Sequence, residues 1–302
     1  MNVPQIITLT QPNGLVSRGL SWEIEQPKGK VVIMEGMEEH TLRYDRFANF
    51  LNENGFSVYA LDAFGQGENV RDNPALVGLW PKDGFSNQVN AVHQLVQDLK
   101  QDGLPVYIFS HSMGSFMGQE YIQRFPGDVK KIVLCGSGSK NGLLGVGYML
   151  SNMTTTEKNF NNKAKMIAKL MFGGFNKKIK NPKTDFDWLS YNEENVKKYI
   201  EDPLCGFGPT NGFCLEFIKG MRELHHKKRL KGIDKDQEIF LISGAEDPVT
   251  LYGKSVEINA KMYRKLGLEK VETKVYEHMR HEILNEDDYM NVQQDILNFF
   301  LK

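Results

Sequence analysis

The sequence predicts an α/β fold: a mostly parallel sheet covered by helices on both faces. Short apolar runs alternate with segments of helical periodicity along most of the chain. Several runs, such as Val31-Val32-Ile33-Met34, are apolar throughout, as strands buried on both faces should be. The intervals between most of them are long enough for a helix, which parallel neighbours require.

Residues 6–10 and 20–25 are read as the first strands, and with no helical segment between them they are expected to form an antiparallel hairpin at the sheet edge. Residues 31–34 make the third strand. Phe47, Phe50 and Leu51 then mark one face of a helix that stops at Gly55, before a strand at 56–61. Val89, Val92, Val96 and Leu99 form a helical stripe with Ser86 as the expected N-cap. Strands follow at 106–109, 132–134, 239–242 and 271–276, with helices at 115–124, 254–266 and 287–300, giving eight strands in all. Between about 140 and 231 the rhythm breaks into helices and loops. This segment is expected to be a helical cap inserted over the carboxyl edge of the sheet, where open α/β sheets place their ligands. The chain therefore divides into a core at 1–139, a cap at 140–231 and the rest of the core at 232–302.

A chain of 302 residues with a net charge of −1 carries no global field for nucleic acid, and no nucleic-acid partner is expected. Cys135, Cys205 and Cys214 lack metal-type spacing, so no metal or other cofactor is expected. An odd cysteine count fits a reducing compartment. The first 14 residues lack the basic start and apolar core of a signal peptide, and no apolar run approaches the roughly 18 residues of a membrane span. A cytoplasmic location is the expectation. Oligomeric state is not legible.

The chemistry centres on Ser110-His111-Ser112-Met113-Gly114, between a strand and a helix. A serine with small residues two positions either side, in that context, reads as a nucleophile elbow. A serine hydroxyl needs a base, and the base an orienting acid. Asp247 and His281 each follow a strand, in the order Ser, Asp, His, and at the same sheet edge as Ser112. Glu246 is the alternative acid, and His278 lies only three residues from His281. His111 is expected to face away from the site and pack locally. Two backbone N–H groups should bind the developing oxyanion. Met113, at a helix start, is one candidate. Met37, in the Glu35-Gly36-Met37 loop, is the other, with Gly36 as a substrate-binding residue.

Gly36-Met37-Glu38-Glu39-His40 with Arg43-Tyr44-Asp45-Arg46-Phe47-Ala48, Asp62 with Gly65 and Gly67, His111-Ser112-Met113-Gly114, residues 243–249 and residues 280–286 together resemble the monoacylglycerol lipase and lysophospholipase group of α/β-hydrolases, the serine aminopeptidase S33-like proteins. The resemblance implies an α/β-hydrolase fold and ester hydrolysis through an acyl-enzyme on Ser112. It also implies His281 as base then acid, Asp247 as its orienter, and a helical cap over an acyl-binding tunnel. Three places depart from the family pattern. Glu35 stands where a histidine is usual, Phe64 and Gln66 where a basic residue and a histidine are usual, and Ser110 where glycine is usual. The first two departures are expected to affect the pocket rim rather than acyl transfer.

The substrate expected is a small acyl ester, a monoacylglycerol or lysophospholipid. Residues 153–183 mix Met166, Ile167, Leu170, Met171, Phe172 and Phe175 with eight lysines. Such a segment suits peripheral contact with anionic lipid. The plainer reading, preferred from sequence, is a cap helix burying its apolar face while the lysines are solvated. Trp188 and Phe186 are read as core or pocket wall. The alternatives are a serine aminopeptidase-type peptidase, which would want an acidic rather than a basic cap, and a non-catalytic ligand-binding relative, which would have lost a triad residue. Ser112 argues against haloalkane and epoxide chemistry, which on this fold uses a carboxylate nucleophile.

Overall fold

The structure is a computed structural model that describes residues 2–140, 142 and 144–302. Its eight strands are β1 (Gln5–Thr10), β2 (Val16–Trp22), β3 (Gly29–Met34), β4 (Phe56–Leu61), β5 (Val106–His111), β6 (Lys131–Cys135), β7 (Glu238–Gly244) and β8 (Val271–Tyr276). They form one sheet in the order β1-β2-β4-β3-β5-β6-β7-β8. The β1–β2 and β2–β4 pairs are antiparallel and the rest parallel.

Strand β2 begins earlier than the pattern predicts and takes in Gly19. A glycine usually weakens a strand. Here it permits a close approach, because a Cβ at Gly19 would lie 1.9 Å from the Ala60 carbonyl oxygen on β4.

Side chains alternate across the central strands. Val32 and Met34 join a core with helices α2 (Gly84–Leu99), α3 (Met113–Arg124) and α9 (Lys254–Lys265). Val31 and Ile33 join a second core with α1 (Asp45–Glu53) and α10 (Tyr289–Leu301) on the other face. The start of α2 differs from expectation. Asp83 is the residue before the helix, and Ser86 lies in its first turn, where its hydroxyl donates to Glu120 Oε1 at 3.1 Å.

Between β6 and β7 lie α4 (Leu144–Thr154), α5 (Lys165–Phe172), α6 (Glu193–Glu201), α7 (Asn211–Glu223) and α8 (Lys227–Leu230). Apart from a single bridge, Lys163 to Thr210, the described residues of this insertion hold no strand. It is strapped to the segment after β8. The N–H of Glu282 donates to Leu189 O at 2.7 Å, and the Arg280 guanidinium donates to the carbonyls of Asp187 and Ser190. Among the described residues no helix is long and apolar enough to cross a membrane.

Candidate active site

Ser112 sits between the last residue of β5 and the first of α3, with φ 50° and ψ −117°. A non-glycine residue held there stores strain, about 1–3 kcal/mol for such conformations. Its surroundings hold it in place. The Ser112 N–H donates to Cys135 O at the end of β6, and the Gly114 N–H donates to Glu35 O at 3.0 Å. Gly114 has no room for a side chain, since a Cβ would come within 2.2 Å of Met34 O.

Ser110 fits the turn through two contacts. It is fully buried, and its hydroxyl donates to Val133 O at 2.7 Å, so no polar group is stranded. Opposite it on α3 stands Gly118, where a Cβ would lie 2.9 Å from the Ser110 Oγ. Missing bulk on the helix makes room for added bulk on the strand.

Asp247 and His281 meet. Asp247 lies in the loop after β7, fully buried, and its Oδ1 is 2.9 Å from His281 Nδ1. The same Oδ1 accepts the Val249 N–H at 2.8 Å, which fixes the carboxylate's orientation. Burial pushes the His281 pKa down, but the adjoining Asp247 carboxylate outweighs it and the net shift is upward from 6.5. The alternatives point elsewhere. Glu246 accepts a hydrogen bond from the Tyr191 hydroxyl at 2.6 Å, and His278 is exposed in a left-handed turn with φ 56°.

His111 is not turned away from this pair. Its buried ring lies 4.6 Å from the His281 ring, both against Gly136. Burial, then the neighbouring His281, hold its pKa well below 6.5, so His111 is neutral beside a histidine that can carry charge. On the other side Trp188 of the insertion packs 5.0 Å from the His281 ring, and Phe175 packs 4.7 Å from Trp188. Phe186 packs against Tyr199 instead.

The N–H groups of Met37 and Met113 donate to no atom among the described residues. Gly36 lies against the serine, where a Cβ would be 3.3 Å from Ser112 Cβ. The loop bearing Met37 is held by buried side chains. Glu39 accepts from the Gly36 N–H at 2.6 Å, from the Tyr44 hydroxyl at 2.8 Å and from Arg43 at 2.6 Å. Arg43 also binds both oxygens of Glu282, the residue after His281. Glu282 in turn accepts from Asn195 of α6. Burial raises the Glu282 pKa, but the Arg43 guanidinium wins and holds it at about 2.

Glu35 and Gln66 are not at a pocket rim. Both are buried behind the loop and bind each other at 3.2 Å. The Gln66 amide also donates to Gly36 O and Glu39 O, and its oxygen accepts from the Glu38 N–H at 2.7 Å. Glu35 accepts the Ala63 N–H. Burial, then the nearby Asp62, raise the Glu35 pKa well above 4.5. Phe64 is buried in the core that holds Met113 and Phe116. No motif pointed to Gln66 as the residue that holds this loop; the clue was its coincidence with the Glu35 departure.

His40, Asp202 and Cys205 each bring one metal-capable atom within 4.8 Å of the others. His40 Nε2 is already 2.9 Å from Asp202 Oδ2, which makes the group a link between loop and insertion.

An eight-stranded, mostly parallel sheet with a strained serine after β5 and an Asp–His pair after β7 and β8 defines the α/β-hydrolase class. Within that class the chain belongs to the family described as serine aminopeptidase, S33, whose model matches residues 25–288. It is similar to the monoacylglycerol lipase of Mycolicibacterium smegmatis, 26% identical over 277 residues, covering 91% of this chain and 89% of that protein. It also resembles a highly thermostable carboxyl esterase from Bacillus coagulans solved in complex with glycerol, at 26% identity and TM-score 0.91, covering 99% and 98% of the two chains. A monoglyceride lipase structure from Saccharomyces cerevisiae shares the fold, at 16% identity and TM-score 0.76, covering 99% of this chain and 94% of that one.

Proposed function

We propose that this protein is a serine hydrolase that cleaves carboxylic esters of single-chain acyl lipids, a monoacylglycerol or a lysophospholipid. The observation that carries the reading is the 2.9 Å Asp247–His281 contact on the same sheet edge as the strained Ser112. Ser112 attacks the ester carbonyl while His281 takes its proton, and the alcohol leaves as His281 returns that proton. An acyl-enzyme remains on Ser112, and water attacks it by the reverse of the same steps. Asp247 keeps the imidazole oriented. The N–H groups of Met37 and Met113 receive the oxyanion, aided by the amino-terminal end of α3. The monoacylglycerol lipase and esterase relatives support the ester reading over the peptidase one.

Residues 140–231 act as a cap on the core. Trp188 against His281 supports this role. Exposure in the cap supports peripheral lipid contact: Ile167 is buried, whereas Met166 and Leu170 of α5 and Val146, Met149 and Met153 of α4 are exposed, as are Lys165 and Lys169 on α5. Exposed apolar residues accompanied by lysines suit an anionic lipid surface.

A fluorophosphonate probe should label the protein at Ser112 and fail to label Ser112→Ala. Persistent labelling of that variant would sink the assignment. Among p-nitrophenyl esters of increasing chain length, activity should rise beyond acetyl. A sharp preference for acetyl would defeat the single-chain lipid reading.

A further inference from the structure

We propose that His40, Asp202 and Cys205 form a zinc site that ties the cap to the loop carrying Met37. The site is separate from the ester chemistry of Ser112.

The two donors of the cap come from one turn. In Asp202-Pro203-Leu204-Cys205 the Cys205 N–H donates to Asp202 O at 3.0 Å, and the Leu204 N–H donates to Asp202 Oδ1 at 2.8 Å. Aspartate at the first position and proline at the second favour such a turn. It brings carboxylate and thiol together and leaves Asp202 Oδ2 for His40 Nε2, 2.9 Å away. His40 follows Met37 on the loop after β3, and the Gly206 N–H donates to Glu38 O at 3.0 Å, so loop and turn already meet. Cysteine spacing gave no sign of this set because His40 lies 162 residues from Asp202.

An imidazole, a thiol and a carboxylate are together the donors that Zn²⁺ takes, whereas Mg²⁺ and Ca²⁺ want oxygen alone. In a tetrahedral zinc site, bonds of about 2.0–2.3 Å put the donors roughly 3.3–3.6 Å apart. Here all three donor atoms lie within 4.8 Å of one another. Side-chain shifts of about 1 Å complete the arrangement. His40 and Cys205 are buried, while the Asp202 side chain is 33% exposed and gives an ion its way in from solvent. The fourth position falls to water. His40 Nδ1 has no hydrogen-bond partner among the described residues, so Asp202 is the polar contact that orients the ring.

The local charge suits a cation. Burial pushes the Asp202 pKa up, but the His40 contact and the Leu204 N–H outweigh it and hold it below 3.8, so the group is a carboxylate. Glu282 is ionised as well. Arg43 is the buried cation nearby, and Glu39 and Glu282 hold it. Glu38, Glu39 and Asp62 are further buried carboxyl groups around the loop. On binding, the Cys205 thiol gives its proton to solvent and its sulfur takes the metal, while His40 coordinates through Nε2 with its proton on Nδ1.

The test titrates tag-free protein with Co²⁺, which stands in for Zn²⁺ and reports a thiolate ligand by near-ultraviolet charge-transfer absorption. The wild type should bind one ion with that band, and Zn²⁺ should displace it. Zn²⁺ alone should bind at one site by calorimetry and should raise the Tm. Cys205→Ser keeps the side chain's size. It should lose the cobalt band and weaken Zn²⁺ binding by more than about 100-fold, beyond the cost of losing an outer partner of a metal site. His40→Gln, on the other side of the bridge, should weaken it comparably. A cobalt band that survives Cys205→Ser would put the metal at another cysteine and overturn the proposal. Unchanged Zn²⁺ affinity in a folded His40→Gln protein would overturn the bridge between loop and cap. No saturable Zn²⁺ binding by the wild type, or binding that neither variant weakens, would overturn the site altogether. None of these outcomes touches the hydrolase reading, which fluorophosphonate labelling of Ser112 tests separately.

Discussion

Gln66 binds the peptide groups on both sides of Met37: its amide donates to Gly36 O at 3.0 Å, and its oxygen accepts the Glu38 N–H at 2.7 Å. The Met37 N–H is thereby held from both flanks and left without an internal acceptor. Replacing Gln66 by Leu keeps the bulk but removes the donor to the Gly36 and Glu39 carbonyls and the acceptor of the Glu38 N–H. We expect kcat to fall about 100-fold with a much smaller change in KM, because a misaimed donor harms the transition state more than the ground state. Steady-state kinetics on a p-nitrophenyl ester checks this. An unchanged kcat in a folded Gln66→Leu protein would remove Gln66 from any positioning role.

Hydrolysis should report the Asp247–His281 pair through pH. Asp247 raises the His281 pKa above 6.5 despite burial, and a general base works only when neutral. The acid limb of the kcat/KM profile should therefore lie above 6.5. In Asp247→Asn the raising charge is gone while burial remains. The limb should move down and kcat should drop by about 10⁴-fold, the scale known for loss of the orienting acid. An unshifted limb would show that another group controls the profile.

Glu35 makes a different pH prediction, for stability. Its folded pKa is raised above 4.5, so the native state keeps a proton that the unfolded chain releases. For a carboxyl raised in this way, stability is present below the unfolded pKa and is lost as pH rises toward the folded one. Glu35→Gln keeps an acceptor for the Ala63 N–H and removes the titration. Thermal melts from about pH 5 to pH 8 should show the variant gaining on the wild type as pH rises, by this linkage. A constant difference across that range would contradict the raised pKa.

Ser110 and Gly118 should be energetically coupled. A methyl at 118 meets the Ser110 hydroxyl at 2.9 Å in the wild type and loses that contact in a Ser110→Gly background. Gly118→Ala should thus be more favourable in that background than in the wild type. A double-mutant cycle by urea denaturation should give a coupling of about 0.5–3 kcal/mol. Simple additivity would mean that Ile132 and Leu134, the other neighbours of a Cβ there, set the limit instead.

Much of the architecture is written locally. The strands at 31–34, 56–61 and 106–109 are mostly apolar and wholly buried because both faces of the sheet are covered, and that pattern survives into the linear chain. Asp247 and His281 were legible for a related reason. Each stands a few residues beyond the carboxyl end of a parallel strand, and a parallel sheet brings those ends to one edge. The start of β2 at Val16 was not legible, since what Gly19 does within the strand depends on the neighbouring Ala60 carbonyl. Ser86 misled as well, because a serine near a helix start has the chemistry of a cap whether or not it occupies the capping position.

By itself, then, the sequence determined the layered α/β sheet, the strand–serine–helix turn and the order of the acid and the histidine. These depend on periodicity and on distance along the chain. Tertiary structure alone decided that Glu35 and Gln66 are partners behind the loop that carries Met37, that Gly118 makes room for Ser110, that His111 touches His281, and that Glu38 keeps an unpartnered oxygen beside Met37. Each of those joins residues from different elements through buried hydrogen bonds or van der Waals contact. Such contacts form only after the sheet has assembled, so no local pattern encodes them.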